Sequence, residues 1–216
     1  MIRVNVICEG STEENFVSKI LYPHFILRNI VVTPRSIGTG SSYGKLKFNV
    51  IQWLKEDTGA YVTTLLDIYG MGLKYSGYEE SKDLQAYQKA INIEKAFKED
   101  IEKAGLSVYR FVPHFQLYEF EAVLFSDCGI LEEFLALDYS FPAGSLQEIR
   151  NKFDSPEHIN DSPLTAPSKR ILSIVPSYEK VADGILIAEA ISLDTIREQC
   201  SHFNNWITKL ENLPQI

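Results

Sequence analysis

Three short runs rich in apolar and β-branched residues, IRVNVI (2–7), AYVTTLLD (60–67) and VYRFVPHFQL (108–117), are separated by stretches of helical periodicity. The runs read as strands. Between the first two, Phe16, Val17, Ile20 and Leu21 form a helical face that Pro23 interrupts, and Leu46, Val50 and Leu54 form another beside Trp53. Before the third, Leu84, Tyr87, Ile91, Phe97 and Ile101 recur at helical spacing and Gly105 supplies a stop. Strands alternating with amphipathic helices imply a parallel or mostly parallel sheet with right-handed crossovers. The expected fold class is therefore α/β, a mostly parallel sheet flanked by helices.

Each strand has acids at or just beyond its carboxyl end: Glu9 after the first, Asp67 closing the second, Glu119 and Glu121 after the third. Ligand sites on such sheets collect at that end. Plainer roles compete. Ser11 with Glu14 three residues on has the spacing of a capping box, and acids in a first turn suit the helix dipole. Glu13 is then left over, four residues after Glu9 across a turn. Asp67 is also an ordinary turn residue. Glu119 and Glu121 share a face if the segment is extended and diverge if it is helical. Carboxylates gathered from strand ends, without Cys or His, offer hard oxygen ligands suited to Mg²⁺ or Mn²⁺ rather than zinc. A cation of that kind activates water and neutralises charge on a phosphoryl oxygen.

After residue 126 the pattern changes to short helices and turns, with prolines breaking residues 154–170 and helical patterns resuming near Ile171, at 178–190, 193–200 and 203–213. The expected division is an α/β core over 1–126 and a helical region over 127–216 packed on it. PSKR (167–170) could open a helix that points Lys169 and Arg170 at a phosphate, or carry ordinary solvated charges.

Other chemistries find little support. Lys45 follows a glycine-rich stretch (38–44), but Leu46 stands where a P-loop needs a hydroxyl residue. No G-x-S-x-G elbow occurs, and His24, His114, His158 and His202 show no metal spacing. Cys8, Cys128 and Cys200 fit reduced thiols. The first ten residues do not read as a signal peptide, and no apolar run approaches the ~20 residues of a membrane span, so a cytoplasmic protein is expected. The net charge of −8, from 29 acidic and 21 basic residues, argues against indiscriminate nucleic-acid binding and leaves room for a local basic groove.

CEGSTEENFV (8–17), VTTLLDIYG (62–70), QLYEFEAVLFS (116–126), PSKR and CSHFNNWITKLE (200–211) together resemble the prokaryotic family called domain of unknown function 4276, over nearly the whole chain. That family looks like a divergent branch of the Toprim fold shared by topoisomerases, primases and overcoming-lysogenization-defect nucleases. The resemblance implies that Glu9 matches the glutamate after the first Toprim strand, Glu13 the nearby acid of the nuclease branch, and Asp67 the first acid of Asp-x-Asp. Tyr69 stands where the second Asp would be, and Tyr118 where His is expected. Glu119 or Glu121 would then supply the missing ligand, and Lys169 the basic residue near the scissile phosphate. The implied function is a Mg²⁺-dependent Toprim-like nuclease acting on nucleic acid, an effector of prokaryotic defence beside a partner ATPase. The alternatives are a non-catalytic partner-binding module, which Tyr69 and the acidic charge favour, and phosphoryl or nucleotidyl transfer on a small nucleotide.

Overall fold

The computed structural model describes residues 1–38, 40–68, 75–160 and 164–215. The chain forms two compact units: unit 1 holds Met1–Gln116 and Trp206–Ile216, and unit 2 holds Leu117–Asn205.

Unit 1 is built on a parallel sheet of β1 (Ile2–Cys8), β2 (Ile30–Ser36), β3 (Ala60–Asp67), β4 (Phe111–Val112) and β5 (Phe115–Gln116). The order is β2-β1-β3-β4, with β5 also pairing β3. The fold class is the expected α/β, with helices flanking the sheet. β3 is buried at every position, which explains its unbroken apolar run in the middle of a parallel sheet. β2 was not anticipated, because its sequence IVVTPRS carries a proline. It lies at the sheet edge, where Pro34 breaks no inner ladder. The expected single strand over 108–117 is instead two short pieces separated by Pro113 and His114; proline has no N–H to give to β3.

α1 (Ser11–Phe16) passes through a π-helical stretch (Val17–Leu21) directly into α2 (Tyr22–Ile26). Pro23 was expected to interrupt the helix. The π stretch widens the turn ahead of it, with Tyr22 N–H donating to Val17 O, and Pro23 falls in the first turn of α2 where its missing N–H costs little. α3 (Tyr43–Glu56) is capped by Ser42, whose Oγ accepts from Lys45 N–H, and buries Leu46, Val50 and Leu54 as the periodicity required. α4 (Tyr78–Ser81) leads to α5 (Ala86–Lys103), after which Gly105 takes the left-handed conformation at φ 82° and ends the helix. In right-handed crossovers the strand order sends α1 and α2 to one face and α3 and α5 to the other. The ring of Tyr43 from α3 lies 5.4 Å from that of Phe97 from α5, as that sharing requires.

Unit 2 contains only helices among its described residues: a 3-10 segment (Phe120–Ser126), α6 (Cys128–Leu135), α7 (Ser145–Arg150), a 3-10 turn (Pro156–His158), α8 (Pro167–Ile174), α9 (Ala182–Ile191), α10 (Leu193–Gln199) and the start of α11 (Ser201–Glu211). Phe120–Ser126 is buried except for its last residue and packs on α8, α9 and α10. Two helices here take a glutamate from elsewhere in the unit at their first turn. Glu132 accepts from Gly144, Leu146 and Gln147 N–H at the start of α7, and Glu157 from His202 and Phe203 N–H in α11. These carboxylates satisfy the orphan donors of a first turn. Among the described residues no helix is long and apolar enough to cross a membrane.

Candidate metal centre

Of the acids singled out in the sequence, Glu9, Glu13 and Asp67 belong to unit 1, and Glu119, Glu121 and Lys169 to unit 2. In unit 1 the geometry follows from strand register. Cys8 pairs with Leu65, so Glu9, just after β1, and Asp67, closing β3, stand one residue out of register at the same carboxyl end of neighbouring strands. Asp67 in turn pairs with Gln116 on β5. Paired residues in a parallel sheet share a face and alternate residues repeat it, which places Cys8, Thr63, Leu65, Asp67 and Gln116 on one side. Trp206 lies on that side, its indole N–H donating to Thr63 Oγ1 at 2.8 Å. α1, which carries Glu13, lies on that side too, because α5 covers the opposite one, the Phe97 ring meeting that of Phe115, the partner of Leu66, at 6.0 Å.

The capping at this turn differs from expectation. Gly10, not Ser11, is the N-cap of α1, in an extended conformation, and Ser11 is already helical. The third helical residue is therefore Glu13, whose Oε2 accepts from Gly10 N–H at 2.9 Å, and Glu14 has no part in the box. Glu13 is 5% exposed and Glu9 half-buried. Asp67 is 6% exposed, and its backbone carbonyl accepts from the Tyr75 hydroxyl at 3.2 Å, as does that of Ile68 at 2.7 Å.

A buried polar network fixes the chain leading to Gln116. Thr64 Oγ1 donates to His114 O and accepts from His114 N–H, Phe115 N–H donates to Glu94 Oε1 at 3.0 Å, and the His114 ring stacks on Trp206 with centroids 4.5 Å apart. His114 Nδ1 lies 3.6 Å from the same Glu94 oxygen. Sequence reasoning passed over Glu94, although an acid on the apolar face of an otherwise regular amphipathic helix was a readable signal. Glu9, Glu13, Asp67 and Gln116 at or beside these strand ends offer oxygen donors, the chemistry of a hard divalent cation. Tyr69, Gly70 and Gly72 lie outside the described residues.

In unit 2 the segment at 118–126 turns sharply: Tyr118 has φ 67°, Glu119 is extended, and the 3-10 helix follows. Glu119 Oε2 accepts from Ser168 N–H at 3.0 Å and so caps α8. Glu121 is 0% exposed and its Oε2 lies 2.9 Å from Lys180 Nζ. Burial pushes its carboxyl up to about 7; Lys180 opposes the rise and Glu119 adds to it. Beside it the Tyr178 hydroxyl is buried without a hydrogen-bond partner and is driven strongly upward by burial and then by Glu121, Asp183 and Glu119. Lys169 is exposed on the first turn of α8, while Arg170 turns back to Thr165 O and over the Phe153 ring. No local spacing could have revealed the Lys180 pairing, since the two residues are far apart in sequence.

No curated protein matches the chain significantly. Among solved structures, the C-terminal region of the Burkholderia pseudomallei OLD protein superposes with a TM-score of 0.51 over 98% of each chain at 14% identity, a likeness of fold. The corresponding region of the Xanthomonas campestris pv. campestris OLD protein, phased with iodine, gives 0.43 over 97% of each chain at 16% identity. Residues 8–211 match the sequence model of a domain of unknown function, DUF4276, and the protein belongs to that family.

Proposed function

We propose that the strand ends of unit 1 form a divalent-metal centre and that the protein is a Mg²⁺- or Mn²⁺-dependent nuclease hydrolysing phosphodiester bonds. One observation carries this reading: Glu9 follows β1 and Asp67 closes β3 at the carboxyl end of adjacent parallel strands, with α1, which bears Glu13, on the face that Asp67 shares. Glu9 and Asp67 would hold the cation, and Glu13, restrained by Gly10, would set the charge around it. A bound cation there supplies water activation and neutralises charge on the phosphoryl oxygens. Without it, the same carboxylates repel an anionic substrate. Glu119 and Glu121 are engaged by Ser168 and Lys180 in unit 2, so the core of the proposed centre is Glu9 and Asp67. Lys169, exposed, is proposed to meet a substrate phosphate. The wider reading, an effector of prokaryotic defence working in the cytoplasm beside an ATPase, rests on the sequence resemblance alone.

A second reading, a non-catalytic partner-binding module, is favoured by the structural employment of Glu13, Glu119 and Glu121. Incubating the protein with single- and double-stranded DNA and RNA, with Mg²⁺ or Mn²⁺, separates the two. The nuclease reading expects cleavage by the wild type and none by Glu9→Gln or Asp67→Asn. Cleavage that survives both substitutions removes these residues from the mechanism, and no cleavage of any substrate supports the module.

A further inference from the structure

Gln116 closes β5 with its side chain 1% exposed, yet neither Oε1 nor Nε2 has a hydrogen-bond partner. Its backbone is used, the carbonyl accepting from Ile68 N–H at 3.1 Å. Many other buried polar groups of unit 1 are supplied, though Ser81 Oγ is not. Arg110 donates to the carbonyls of Leu54, Asp57 and Ala60, and Thr63, Thr64 and Glu94 all have partners. A buried amide with both ends unmet lowers stability, and folded proteins keep few of them.

The position of this one is what makes it informative. Gln116 pairs in register with Asp67, so the two side chains leave neighbouring strands on the same face, at the end where Glu9 follows β1. We propose that Gln116 is a further ligand of the strand-end centre, its Oε1 supplying a neutral oxygen to the divalent cation that Glu9 and Asp67 would hold. Hard divalent cations accept amide carbonyls alongside carboxylates. A neutral donor fills a coordination position without adding a charge that would repel phosphate, and coordination through Oε1 leaves Nε2 free to donate to a neighbouring carboxylate or phosphoryl oxygen. The network of Thr64, His114 and Glu94 immediately before it holds the strand end in place.

This inference rests on the metal-centre reading, and Mn²⁺ titration followed by electron paramagnetic resonance on the full chain tests the two separately. Gln116→Met, similar in length and without the oxygen, is expected to weaken Mn²⁺ binding about 10-fold or more. Gln116→Glu, which keeps an oxygen donor, should bind at least as tightly as wild type. In metal-free buffer the Met variant should melt about 2–4 °C higher, because it removes an unmet buried amide. If Gln116→Met does not fold, Gln116→Asn, which withdraws the oxygen by one methylene, should weaken binding similarly. Binding within twofold of wild type in Gln116→Met or Gln116→Asn, while Asp67→Asn loses it, overturns the role of Gln116 and leaves the metal centre standing. A wild-type protein that holds no Mn²⁺ overturns both.

Discussion

Replacing Glu121 by glutamine should stabilise the protein above neutral pH and change little in mild acid. The carboxyl is 0% exposed, and burial raises it from 4.5 to about 7. Between those values the folded state keeps a proton that the unfolded chain has released, so the contribution of Glu121 to stability falls as pH rises from about 4.5 to about 7 and stays low above it. At ~1.36 kcal/mol per pH unit the loss is about 3 kcal/mol. The attraction of Lys180 and the repulsion of Glu119 are already contained in that position. Glutamine keeps the shape of the protonated acid and has no proton to lose. Urea unfolding at pH 8 should therefore show Glu121→Gln more stable than wild type by about 3 kcal/mol, and at pH 5 by less than about 1 kcal/mol. A variant less stable than wild type at pH 8 would mean that the Lys180 ion pair outweighs the burial of the charge, and the reasoning would fail. Repeating the series with Mn²⁺ adds a second reading. A metal-dependent gain in wild type that disappears in Glu121→Gln would make Glu121 a ligand, as the sequence resemblance implied.

Glu13→Ala removes the acceptor for Gly10 N–H and should cost about 1 kcal/mol in metal-free buffer, whereas Glu13→Gln, which keeps an acceptor, should cost little; denaturant titration compares them. Gly184 sits inside α9 where an added Cβ would come 2.8 Å from the Tyr178 hydroxyl. Gly184→Ala should destabilise by about 1–2 kcal/mol despite the better helix propensity of alanine, and in a Tyr178→Phe background it should stabilise by about 0.5–1 kcal/mol. A double-mutant cycle showing no coupling between these two sites would refute the close approach.

The parts of the fold legible in the sequence are those set by local pattern. α3 and α5 appear where Leu46, Val50, Leu54, Phe97 and Ile101 repeat, because a helix needs only its own face to be apolar. β3 was legible because a strand covered on both faces is apolar throughout. β2 was missed because Pro34 and Arg35 make its sequence resemble a loop, and only its place at the sheet edge makes them tolerable. Pro23 misled in the opposite direction, since a π stretch upstream lets the helix run on through it.

The candidate site divides in the same way. By itself the sequence determined that Glu9 follows one strand and Asp67 closes its parallel neighbour, because strand ends and acids are both local properties and a parallel sheet aligns its carboxyl ends. Tertiary structure decided the employment of the other acids. Gly10 in an extended conformation starts α1 one residue early and gives the cap to Glu13. Glu119 meets Ser168, Glu121 meets Lys180, and Gln116 is left buried beside Asp67. The last three depend on desolvation or on a partner distant along the chain, and such a partner exists only once the chain has folded, whereas the Glu13 cap turns on the conformation of one neighbouring glycine.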